Sequence, residues 1–126
     1  DQMLCLALNI YHEIRGGNDR DQWAVAFVTW NRTKRAAFKV NSICAAVWAP
    51  SQFSWTRWPM RAQLPRETGA WLEVQKKAAL FVSGERMKDP TNGSTHFNGS
   101  FRNWGKGLVN VFRIGTHWFG RLPGSN

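Results

Sequence analysis

Residues 3–32, MLCLALNIYHEIRGGNDRDQWAVAFVTWNR, decide the fold, because they read as two apolar-faced helices divided by a glycine break. In the first, Leu4, Leu8 and Tyr11 share one stripe, with Met3, Ala7, Ile10 and Ile14 beside it. That 3.6-residue spacing belongs to a helix burying one side. The Gly16-Gly17 pair predicts its end. A second helix is expected to start at Asp19 or Asp21, either of which suits an N-cap, and to run through Ala24, Val25, Phe27 and Val28 toward Phe38.

Further along, Ser42 predicts the cap of a short third helix reaching Val47, which Pro50 stops. Gln52-Phe53-Ser54-Trp55 is expected as a short strand or loop. A fourth helix is predicted over about Pro65 to Ser83, with proline in its first turn, Gly84 just past its end, and Trp71, Val74, Ala78 and Phe81 facing inward. Beyond Pro90 the texture changes to Gly, Asn, Ser and isolated aromatics, and the alternation of Val109, Val111 and Ile114 predicts a short β-hairpin. Helices first and a small β element last give an α+β, mainly helical domain, with a groove expected between the helical body and the loop-rich lobe. A chain of 126 residues fits one domain and leaves no room for a second.

The net charge of +9 and pI near 10.6 predict an anionic partner. The cations are dispersed, as Arg32, Lys34 and Arg35, Arg57 and Arg61, Lys76 and Lys77, and Arg102 and Lys106. A solvated cationic surface therefore explains them as well as a binding stripe does. No apolar run reaches the roughly 18 residues of a membrane span. Cys5 and Cys44 each lie in an apolar segment without a CxxC partner, and buried free thiols are expected ahead of the alternative, a single bridge between them. A chain that begins at Asp1 without a signal peptide reads as processed or trimmed.

Eight residues are acidic, and most have ordinary places. Glu67, Glu73 and Glu85 lie on or beside the fourth helix, Asp89 precedes Pro90, and Asp19 and Asp21 suit a helix start. Glu13 differs. It falls in the last turn of an apolar helix, where the helix's negative end and burial both disfavour its ionised form, while Arg15 opposes them. Surface pairing with Arg15 or Arg20 accounts for the same residues without chemistry.

Five segments in order resemble the SleB-type cell wall hydrolases, a family that includes spore cortex-lytic enzymes and related phage and bacterial lysins. Tyr11-His12-Glu13-Ile14-Arg15-Gly16 is similar to the family's glutamate-containing segment. Gln22-Trp23-Ala24-Val25-Ala26 leading to Asn31-Arg32 is similar to its following helix. Gln52-Phe53-Ser54-Trp55, Thr95-His96-Phe97-Asn98 and Arg113 to Phe119 complete the set, so the resemblance covers about Leu4 to Phe119. It implies a lysozyme-like fold and cleavage between N-acetylmuramic acid and N-acetylglucosamine, with Glu13 as the catalytic glutamate. The chain departs from the pattern after Gly16, where the family usually has another Glu and this sequence has Gly17-Asn18.

Most glycosidases use two carboxylates, and Glu13 is the single strong candidate here. A lytic transglycosylase needs one, because the sugar's own hydroxymethyl oxygen replaces water as nucleophile. Asp19 or Asp21, folded back toward the groove, would supply a second and make a true hydrolase. For substrate contacts, Trp55, Trp58 and Trp104 lie in loop segments and suit stacking on sugar rings, whereas Trp23, Trp30 and Trp71 on helices belong to the core. Gln22, Ser54, His96, Phe97 and Asn98 stand in the family-like segments as further contacts. Peptidoglycan is the expected partner, met by a monomer at the bacterial cell wall, with no cofactor and no specific nucleic acid. Two other classes compete: a zinc amidase built on His12, His96 and His117, which lack an HExxH-type spacing, and a nucleic-acid or anionic-surface binding module suggested by Phe101-Arg102-Asn103-Trp104.

Overall fold

The computed structural model describes residues 1–14, 17–50, 52–57, 59–99 and 104–124, with Ala62 described in its backbone alone. Trp58, Arg15-Gly16 and Phe101-Arg102-Asn103 of the sequence reading lie outside the described residues. Four helices, α1 (Gln2–Ile14), α2 (Asp19–Arg32), α3 (Ile43–Trp48) and α4 (Thr68–Val82), precede three strands, β1 (His96–Asn98), β2 (Val109–Ile114) and β3 (His117–Arg121). The domain is α+β and mainly helical, as expected.

Helix α1 is the hub, packing on α2, α3 and α4. Leu6, Ala7, Ile10 and Tyr11 are its buried side, and they meet Phe27, Val47, Phe53, Trp55, Val74 and Phe81 in one core. Each large side chain taken out of water there stabilises the fold by roughly 1.5–3 kcal/mol. A polar relay crosses this core. The Trp55 indole N–H donates to Asn9 Oδ1 at 2.8 Å, Asn9 Nδ2 donates to Thr29 Oγ1 at 2.9 Å, and the Thr29 hydroxyl donates to the Val25 carbonyl at 2.8 Å. Because each group finds a partner, the buried amide costs little and fixes α1 against α2 in one register.

The sheet is antiparallel in the order β1-β3-β2, with His96 opposite Gly120 and Phe97 opposite Phe119. Its inner residues Ile114 and Phe119 pack on Ala24 and Val28 of α2, so α2 is the wall shared by the helical body and the sheet.

Several boundaries differ from the sequence reading. Asn18 caps α2, its side chain accepting the Asp21 N–H at 2.9 Å, so neither Asp19 nor Asp21 is the cap. The helix stops at Arg32 rather than near Phe38, where Thr33 turns its hydroxyl onto the Trp30 carbonyl and only a 3-10 turn, Ala36–Phe38, follows. Of the two expectations for Gln52 to Trp55, strand or loop, the second holds, with a 3-10 turn over Ser54–Thr56. Helix α4 begins at Thr68 rather than Pro65, because the N–H groups of Arg66 and Glu67 donate to the Tyr11 hydroxyl and hold that stretch outside the helix. Strand β1 went unread, since three residues are too few to show a period.

The free-thiol expectation is overturned: Cys5 and Cys44 form a disulfide. Burial preference pointed to thiols, but the packing of α1 on α3 brings the two Cα atoms to 5.2 Å, within bridging range. The bond closes a loop with a sequence separation of 39. Replacing both cysteines with serine is expected to lower the unfolding free energy by about 2–4 kcal/mol and to steepen its urea dependence, since the released denatured chain exposes more surface. Urea titration of the two forms checks both effects.

Candidate active site

Glu13 occupies the last turn of α1, half-buried. Burial raises its pKa above the ordinary value, and the Arg32 guanidinium, across at the end of α2, pulls it partly back. Among the described residues none hydrogen-bonds the Glu13 carboxyl, and the charge acting on it is that of Arg32.

The turn that follows is closed tightly. The Gly17 N–H donates to the Ile14 carbonyl at 2.7 Å, and a Cβ on Gly17 would stand 2.6 Å from Ile14 Cγ1, so any larger residue forces the turn open. Gln22, buried on α2, donates its amide N–H to the Gly17 carbonyl at 3.3 Å and accepts from the ammonium of buried Lys77 on α4. Lys77 also pairs with Asp19. Gln22 thus fixes the turn that carries Glu13 rather than offering its amide to the surface.

Arg32 is 5% exposed, and its charge is held by geometry. Its Nε donates to the Thr95 carbonyl at 2.8 Å and its Nη1 to Gln52 Oε1 at 3.2 Å, while the guanidinium carbon lies 4.6 Å from the Phe53 ring centroid and 5.3 Å from that of Phe38. Burial lowers its pKa to about 10, and Glu13 counteracts that. His96 at the start of β1 lies near the same cation. Burial and then Arg32 lower its pKa to about 4, so the ring is neutral at physiological pH, with Nδ1 2.9 Å from the Thr95 hydroxyl.

On the other flank, His12 stacks on Trp55 with ring centroids 4.5 Å apart. Trp55 is 1% exposed, which corrects its reading as a sugar platform: a ring inside the core has no face to offer, and its role is to seat His12 beside Glu13. Phe97 is half-buried and stacks on Phe119, with ring centroids 5.9 Å apart. Ser54 and Asn98 are exposed and Trp104 is half-buried. The structure therefore gathers Glu13, Trp55 and His96 around Arg32 and His12, with Gln22 behind the turn. His12, His96 and His117 do not converge, and among the described residues no three His, Cys, Asp or Glu side chains group as metal ligands.

Two participants went unrecognised in the sequence. Arg32 stands in the sequence both as one of the dispersed cations and in the family-like Asn31-Arg32 pair, and its place at the end of an apolar helix is the signal for a role there. Gln52 was quoted only as part of a segment.

The raised pKa of Glu13 has a thermodynamic consequence. A carboxyl that binds its proton more tightly in the folded chain contributes stability fully below its unfolded pKa, and that contribution is lost as pH rises through the folded value. Glu13→Gln removes this titration, so its stability relative to the parent is expected to rise as pH climbs from the ordinary glutamate range through the raised folded value. Urea midpoints across that range test the point, and a constant difference would contradict it.

A family model described as Cell Wall Hydrolase matches residues 16–120. The matched span starts three residues past Glu13, so it is carried by α2, the 52–57 loop, α4 and the sheet. No curated protein and no solved structure matches the chain. No described helix is long and apolar enough to cross a membrane. With most of its length covered by that model, the chain belongs to the cell wall hydrolase family.

Proposed function

We propose that the chain, acting as one catalytic domain, cleaves peptidoglycan glycan strands between N-acetylmuramic acid and N-acetylglucosamine, with Glu13 as general acid and then general base. The observation that carries this reading is a half-buried carboxyl of raised pKa, free of described hydrogen bonds, at the end of the hub helix. A group of that kind stays protonated where an exposed glutamate has ionised, as a proton donor to a leaving oxygen requires.

Lytic transglycosylase chemistry is the better-supported form. The charge acting on Glu13 is a cation, Arg32, and no second carboxylate shifts it. Asp19 is engaged with Lys77, and Asp21 is buried against Gly115, where a Cβ would stand 3.0 Å from its Oδ1. In the reaction Glu13 gives its proton to the glycosidic oxygen as the bond from that oxygen to the muramic anomeric carbon breaks. The resulting carboxylate takes the proton from the muramic hydroxymethyl group, whose oxygen bonds to the same carbon and closes an anhydro ring. Glu13 is regenerated and no water is consumed. Arg32, already present, favours the carboxylate half of this cycle. His96, Asn98, Ser54 and Trp104 are proposed to contact the glycan, and Gln22, Trp55 and Phe97 to position the parts that do.

Glu13→Gln is expected to reduce release of soluble muropeptides from purified peptidoglycan by on the order of 10²–10⁴-fold while the variant remains folded. Full activity in that variant would remove Glu13 from the reaction. Mass spectrometry of the parent's products should show ends lighter by one water, whereas ordinary reducing ends would make the enzyme a muramidase with a held water.

A further inference from the structure

Beside Arg32 the chain encloses a cavity of about 280 Å³, walled by Phe38, Val40, Ala46 and Ala49, with Arg32, Gln52 and His96 as its polar edge. That volume is at the small end of ligand sites, suited to a side arm rather than an extended chain. Glu13 is not part of the lining.

The guanidinium facing this space is incompletely used. Nε and Nη1 have partners in Thr95 and Gln52, but Nη2 donates to no described residue, although Arg32 is almost wholly buried. Burial lowers the pKa of Arg32, and an anion placed at this edge would offset that cost. His96 adds no charge of its own at neutral pH, so Arg32 alone sets the sign of the cavity. An arginine edge pairs best with a planar carboxylate, and the apolar wall opposite suits a methyl group.

We propose that this cavity is a subsite for a short carboxylate-bearing side arm of the glycan, such as the free lactyl ether of muramic acid, with Arg32 as its charge partner. The source of the carboxylate rests on the glycan-cleaving reading above. A lactyl group joined to a stem peptide carries an amide in place of the charge, so the subsite favours muramic acid stripped of its peptide.

The test titrates the intact chain with N-acetylmuramic acid, its methyl ester and N-acetylglucosamine, following the Arg32 Nε–H signal by NMR. The acid is expected to bind about 10- to 100-fold more tightly than the other two and to shift that signal, in keeping with a charge-assisted pair. Ala49→Leu, which fills the cavity, should abolish the preference. Where that variant disturbs the spectrum as a whole, Ala37→Phe on the exposed edge of the lining serves instead. Equal binding of acid and ester, an unmoved Arg32 signal, no binding of the acid, or an unchanged preference in the filled variant each overturns the proposal. Binding is read without turnover, so a chain that binds the acid yet leaves glycan intact sinks the glycan-cleaving reading and not the subsite.

Discussion

A guanidinium buried at the end of α2 constrains everything around it. Taking Arg32 out of water costs several kcal/mol unless its donors and its charge find partners, and those partners come from distant parts of the chain. Gln52 and the Phe53 ring arrive from the loop after α3, Thr95 from the approach to β1, and the Phe38 ring from the Ala36–Phe38 turn. Each of these segments is short and irregular, with little regular structure of its own. Satisfying one cation fixes them together, and Glu13 faces the result.

Helix α1 supplies the other half of the frame. Its successive sides are committed to different neighbours: Asn9 to the relay through Thr29 and Trp55, Tyr11 to the entry of α4, and His12 to the Trp55 ring. Glu13 is the next residue, so its backbone inherits the rigidity of three anchored predecessors. The tight Gly17 turn, held from behind by Gln22 and Lys77, prevents the helix end from fraying. A proton donor placed on such a frame keeps its geometry without help from a loop.

Much of this was legible in the residues. The periods of α1 and α4, the Ser42 cap and the late hairpin follow from local chemistry, and so does the singling out of Glu13 as the acid in an apolar setting. What stayed hidden depended on contacts between segments far apart in the chain. The 3-10 turn at Ser54–Thr56 places Trp55 inside the core, and no local pattern distinguishes an aromatic that points inward from one that points out. Arg32 looked like any surface cation until Thr95, 63 positions later, was seen accepting from it. The Cys5–Cys44 pairing depended on how α1 and α3 dock, which spacing alone does not encode.

That cross-link also makes the molecule answer to its surroundings. Bridges of this kind form and persist in oxidising surroundings and are kept open by the thiol pools of the cytoplasm. In oxidising surroundings the hub helix and α3 share a covalent tie, and where thiols are kept reduced they rely on packing alone, so the durability of the chain varies with the redox state around it.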